Sequence, residues 1–308
     1  MRNFILMAGI ILLAASCSNN ESLDSSVNLS SEQNLVPVTV SVSSFSVSQS
    51  DFSDTDNPQG AQATTRATAV GDYDGVQKLT LAFYNSDGTE QLKVTHTKGS
   101  MPEGDTFGEF STTLPLGSYT MVVLGYVLYD DDELTITSPT QAEWTVNAPR
   151  ETFAATQEVN VTSTTALNLS ATLDRIVAQL KVNSTDKRTA NVEKVRMTFA
   201  AGGKAFNPTT GLATVNTGSV STVNTGVEVG ERSGAIGYVF LQTDEQTMDV
   251  TIETLDAQGN TIFSKTVENV PFQRNRQTKL TGAIYSASAA AGSFEVNTDW
   301  LADYSDTF

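Results

Sequence analysis

The chain has 308 residues, 39% of them hydrophobic and 17% charged, which supplies two ordinary cores and is too short for three. Lys and Arg number 18 against 35 Asp and Glu, and the resulting net charge of −17 repels phosphate backbones, which excludes nucleic acid as an expected partner. Abundant Thr, Ser, Val and Asn, sparse Pro and short apolar runs make an all-β chain the expectation.

The first segment, "MRNFILMAGIILLAASCSNN", carries Arg2, an apolar run over residues 4–13 and small Ala14, Ala15 and Ser16 before Cys17. That run is too short to stay across a bilayer and reads as a secretory signal, residues 1–17. "LAASC" resembles a lipobox, with Cys17, the sole cysteine, at the position where such signals place the acylated thiol. Each buried acyl methylene contributes roughly 0.8 kcal/mol, so two or three chains would hold the precursor on a membrane. "SNNESLDSS" then reads as a mildly acidic tether.

In "LVPVTVSVSSFSVS", Val36, Val38, Val40 and Val42 alternate with polar residues, and Phe45 and Val47 continue the pattern after a one-residue phase slip. This is a strand with one apolar face. A stretch with almost no apolar content follows, "QSDFSDTDNPQGAQATTRATAVG". Within it Arg66 is the only basic residue between Arg2 and Lys78. Leu79, Leu81 and Phe83 then alternate up to "NSDG", and Leu92 and Val94 return, which predicts a β-hairpin. In "LPLGSYTMVVLGY", Gly117 and Tyr119 lead into a fully apolar strand expected to cross the middle of a first sandwich.

The pattern restarts near Leu167. "LNLSATLDRIVAQLKVNS" alternates, slips phase at Asp174 and Arg175 and resumes, which predicts one long bulged strand. Val195, Met197 and Phe199 alternate in the next strand, and "MDVTIETLDAQGNTIFSKTV" repeats the layout of the first hairpin, so the two halves read as similar β-sandwiches. "QRNRQTK" is a local basic cluster that reads as a solvated turn or as a partner for an acidic face. In the last segment, "SFEVNTDWLADYSDTF", Phe294, Val296, Trp300, Tyr304 and Phe308 share one face of an extended strand. Residues 294–300 either pair within their own domain or belong with the rest of that strand as an extension; the pattern leaves both open.

Reactive constellations are few. His96 is the only histidine, so a His triad or a multi-histidine metal site is excluded by count, and neither a phosphate loop nor a dinucleotide fingerprint occurs. The acidic run "YDDDE" reads as a solvated turn. No catalytic residue, metal ligand or cofactor is expected.

Together, the lipobox around Cys17, Arg66 in its linker, "LPLGSYTMVVLGY", "LDRIVAQLKV", "VPFQRNRQTKLTGAIY" and the terminal "VNTDW" resemble the fimbrillin family, subunits of type V pili. The resemblance implies two transthyretin-like β-sandwich domains in tandem, residues 67–166 and 167–308, behind a propeptide of residues 18–66. It also implies a lipoprotein precursor on the outer membrane and an Arg-specific protease cutting between Arg66 and Ala67. The strand of Val36, Val38, Val40, Val42 and Phe45 would be removed, and the slot refilled by a donor strand carrying Phe294, Val296, Trp300, Tyr304 and Phe308. The partners so implied are other copies of the chain, joined head to tail, and other fimbrial subunits in an adhesive surface fibre. Rival readings are an anchor or tip subunit of that family and a surface glycan-binding lipoprotein, whose exposed aromatics would include Trp144 and Trp300. A carboxylate hydrolase is a more distant one.

Overall fold

The computed structural model describes residues 34–48, 65–73, 75–101, 103–127, 133–146, 148–286 and 292–297. The strands in chain order are β1 Val36–Ser48, β2 Thr65–Ala69, β3 Lys78–Asn85, β4 Glu90–Thr97, β5 Glu109–Leu114, β6 Gly117–Tyr126 and β7 Leu134–Ser138. Next come β8 Gln141–Trp144, β9 Thr152–Val161, β10 Leu167–Arg175, β11 Ala178–Ser184, β12 Lys194–Phe199, β13 Ala205–Asn207 and β14 Leu212–Ala213. The last are β15 Ser219–Asn224, β16 Gly234–Val239, β17 Glu245–Leu255, β18 Thr261–Gln273, β19 Gln277–Gly282 and β20 Glu295–Asn297. Among the described residues the chain is therefore all-β apart from a 3-10 turn at Val70–Asp72.

A single sheet builds the first sandwich. Its order is β2-β1-β10-β9-β6-β3-β4, with β5 also on β1. β9 and β10 meet only through Asp174 opposite Ala154 and Arg175 opposite Phe153, so the sheet turns a corner there and folds over on itself. Inward residues of β3, β6 and β9, among them Leu81, Met121 and Phe153, pack against Val38 and Phe45 of β1, Phe110 of β5 and Leu173 of β10. The period of two seen in the sequence has this cause: alternate residues of each strand face the fold of the sheet.

Two further sheets, β16-β11-β19-β20 and β15-β12-β17-β18, form a second sandwich around Leu180, Val182, Met197, Phe199, Ile252 and Leu280. Both expected hairpins are present, β3–β4 and β17–β18. β6 lies between β9 and β3, as its continuous apolar sequence suggests, and is buried on both faces.

The reason for that double burial is a third core. Ala82, Tyr84, Val122 and Leu124, on the opposite faces of β3 and β6, are covered by a sheet of order β14-β13-β8-β7 carrying Leu134, Ile136, Trp144 and Phe206. β7 and β8 come from the first half of the chain and β13 and β14 from the second, so the halves share this layer and are not independent modules. Trp144 is wholly buried in it, against Tyr126 at 5.7 Å and with its indole N–H on Thr152 Oγ1 at 3.2 Å, which removes it as an exposed glycan platform.

Two expectations need correction. The expected long strand through Leu167 and Val182 is two strands in different sheets, β10 and β11, and the phase slip marks where the chain leaves one sandwich for the other at Ile176 and Val177. β10 thus belongs to the first sandwich, and the change of sandwich comes after it rather than at Leu167. The expected linker also stops short of Arg66, because Thr65–Ala69 is the edge strand β2.

Candidate strand-exchange site

β1 occupies the place the sequence singles out. Val36, Val38, Val40, Val42 and Phe45 are each no more than 3% exposed. On one side β1 runs parallel to β10, from Val38 opposite Leu167 to Ser46 opposite Asp174. Its other side is shared: β5 pairs antiparallel with Val36 to Ser41, and β2 pairs antiparallel with Ser44 to Ser48. The phase slip read between Val42 and Phe45 is a register irregularity between Val42 and Ser44 against β10.

At that point the chain of β5 is entered through Gly108. Val42 N–H donates to Gly108 C=O at 2.8 Å. Gly108 has φ of +98°, and a Cβ there would sit 3.1 Å from Val42 C=O and 3.0 Å from Val70 Cγ1, so glycine is what permits the approach. Nearby, Ser41 Oγ donates to Glu109 Oε2 at 2.5 Å. His96 stacks on Phe110 with ring centres 4.0 Å apart, and burial holds its pKa below 6.5 against the opposing charge of Asp105.

The inner end of β1 meets a buried polar cluster that sequence reasoning missed. Phe45 lies 4.8 Å from Phe153 and 5.4 Å from Tyr73, ring centre to centre. Tyr73 donates to Glu151 Oε1 at 2.6 Å. Arg175 Nε donates to the same oxygen at 2.8 Å, its Nη2 to Tyr73 Oη at 3.1 Å, and its Nη1 to Asn275 Oδ1 at 3.1 Å. Its guanidinium also lies 5.1 Å from the Phe153 ring centre. Burial, and then the Glu151 carboxylate, push the Tyr73 hydroxyl far above its ordinary value against the pull of Arg175, so the hydroxyl stays protonated as a donor. Asn275 takes φ of +60° in the turn from β18 to β19, so this cluster ties the slot of the first sandwich to the second. One signal was available: Ala171, Leu173 and Arg175 have the same parity, which puts Arg175 on the inward face.

The other expected site residues divide in three ways. The backbone of Arg66 and Ala67 lies in β2, opposite Val47 and Ser46. Phe294 and Val296, expected in a donor strand, are in their own domain: Val296 faces Leu280 where β20 pairs with β19, and the Phe294 ring packs over Gly282. Cys17, Trp300, Tyr304 and Phe308 lie outside the described residues. Arg274 of the basic cluster is bonded to Asp244 at 2.7 Å and to Thr210 C=O at 2.9 Å.

A model described as a family of unknown function, DUF6562, matches residues 43–307. The chain belongs to this family. The match takes in the second part of β1 and every later strand of the DUF6562 chain. No curated protein sequence matches significantly. Solved structures that are similar include a candidate adhesin from Bacteroides ovatus, at 12% identity over 86% of this chain and 94% of that one, with a TM-score of 0.49. The fimbrial anchor protein from Porphyromonas gingivalis is similar at 12% identity over 85% and 97%, with a TM-score of 0.47. The tip fimbrial protein of the same organism, with C-terminal truncation, is similar at 12% identity over 85% and 99%, with a TM-score of 0.39.

Proposed function

We propose that the chain is a structural subunit of an adhesive cell-surface fimbria, made as an outer-membrane lipoprotein through Cys17, cut after Arg66 and polymerised by strand exchange. The observation that carries this reading is the seating of β1, which fills a slot between β10 and β5 and contributes five buried apolar side chains to the first core. At roughly 1.5–3 kcal/mol for each large apolar side chain, those residues are worth on the order of 10 kcal/mol before ordering costs. Removing β1 opens two strand edges and an apolar trough, a state that a strand from another copy stabilises. A head-to-tail contact of that kind does not close into a ring and builds a fibre. Because 295–297 pair within their own sheet, the donor is assigned to the segment beyond them, with Trp300, Tyr304 and Phe308.

The position of Arg66 favours a second reading. A protease binds its substrate extended and unpaired, whereas Arg66 is held in β2 against β1. An anchor or tip subunit that keeps its first strand would need no cut. Deleting residues 301–308 separates exchange from folding: the account expects a folded monomer that forms no polymer, and fibres of normal length from this variant would contradict it.

A further inference from the structure

Among the described residues, four strands of the second sandwich have a hydrogen-bonded neighbour on one side only, and two of them, β16 and β15, lie at one cleft. β16 pairs with β11, β15 pairs with β12, and each ends its sheet. In an antiparallel pair, facing residues alternate between those that exchange hydrogen bonds and those whose N–H and C=O point away. Ser184 N–H donates to Ser233 C=O at 3.0 Å, and these two residues continue the β11–β16 register. Ala235, Gly237 and Val239 therefore bond to β11, while Gly234 and Ile236 direct their backbone groups to the open edge. On β15 the bond from Thr225 N–H to Glu193 C=O, 3.1 Å, fixes the parity in the same way: Val223 bonds to β12 and Asn224 points outward.

The outward groups of Gly234, Ile236 and Asn224 meet in one place. Together with Val223 they line a cleft of about 410 Å³ whose lining also includes Val127 and Glu151 from the first sandwich. Ile236 is 38% exposed there. An open strand edge beside apolar side chains accepts an extended peptide by adding it as a strand.

The course of the chain indicates which peptide. β20 ends the same sheet as β16, on the opposite side. Asn297 faces Lys279, Lys279 faces Lys181 and Lys181 faces Ile236, so the last described residue lies in one row with the open edge. Four interstrand steps of ~4.8 Å place a strand added on β16 about 19 Å from β20. Residues 298–308 reach up to about 36 Å when extended, so about six of them span that distance and the last five are left to pair. Those five carry Tyr304 and Phe308 on one parity, as a strand with one covered face requires. We propose that residues 298–303 cross the sheet and residues 304–308 dock as an added strand on the outer edge of β16, in the cleft of their own chain. The docking does not depend on the fimbrial reading; in a strand-exchanging subunit it would also hold the donor segment back before assembly.

Residue-resolved hydrogen exchange tests this on the full chain and on a chain ending at Asn297. The Ile236 amide should exchange at least about tenfold more slowly in the full chain, while the Gly237 amide, bonded to β11, serves as an internal control that is equal in both. Ile236→Pro removes only the outward N–H of an edge strand, a substitution such strands tolerate. In the full chain it should abolish protection of the amides in 304–308 and leave that of Gly237. Equal exchange of Ile236 in the two chains overturns the proposal. So does protection that disappears on tenfold dilution, since the cleft would then hold the segment of a second copy.

Discussion

Replacing Arg175 by Met tests whether the polar cluster behind Phe45 is a fixed part of the slot. The Arg175 side chain is 1% exposed and that of Glu151 10%, with 2.7 Å between Nη2 and Oε1. The substitution leaves the Glu151 carboxylate with only the Tyr73 hydroxyl as a described partner in place of a bound cation, and takes the donor from Asn275 Oδ1. Breaking one side of a buried pair costs about 3–5 kcal/mol, and the retained Tyr73 bond places the expectation towards the lower figure. In Arg175→Met/Glu151→Leu no charge is left buried, and the cost should fall to about 1–3 kcal/mol, set by the unpartnered Tyr73 and Asn275 groups. Urea unfolding followed by the fluorescence of buried Trp144 measures both, with the denaturant slope unchanged if the native state stays compact. A loss under about 1 kcal/mol for Arg175→Met, or a double variant as unstable as the sum of the single ones, would refute the reasoning.

Other outcomes follow from the same geometry. Phe45→Ala should cost about 3–5 kcal/mol by equilibrium unfolding, because the ring is fully buried between Tyr73 and Phe153. His96 has a folded pKa lowered by burial, so its contribution is fully present above the ordinary value of 6.5 and is lost as pH falls through the lowered value. Stability should therefore decline between about pH 7 and pH 5, and His96→Phe should flatten that slope in unfolding curves taken across the range. Gly202→Ala should destabilise by roughly 1–3 kcal/mol, read from its denaturation midpoint. Its φ is +75°, and the new Cβ would press into Phe240 C=O.

Period-two alternation carried most of what the sequence revealed. Leu79, Leu81 and Phe83 announced β3, and the phase slip from Val42 to Phe45 corresponds to a register irregularity of β1 against β10, because side chains there answer to a single core face. Where the physics was not in the pattern, the reading went astray. A phase slip at Asp174 and Arg175 looks the same whether a strand bulges or the chain changes sheets, and the second is what occurs. "TRATA" has no apolar stripe, and β2 forms through backbone pairing to β1, which composition does not register. The third core was hidden because β7, β8, β13 and β14 are too short to show a period and draw on both halves of the chain. Arg175 was read only as part of a phase slip, because its buried partner Glu151 is 24 residues away and on another strand's approach, which strand periodicity does not register.

The central claim is that β1 is replaceable and that cleavage after Arg66 releases it. Intact mass and N-terminal sequencing of the chain recovered from the cell surface, with and without Arg66→Ala, test it most directly. The account predicts a native chain that begins at Ala67 and runs as high-mass ladders, and an Arg66→Ala chain that keeps β1 and runs as a monomer. A chain beginning at acylated Cys17 in both cases, with β1 retained, would contradict it and leave the anchor reading.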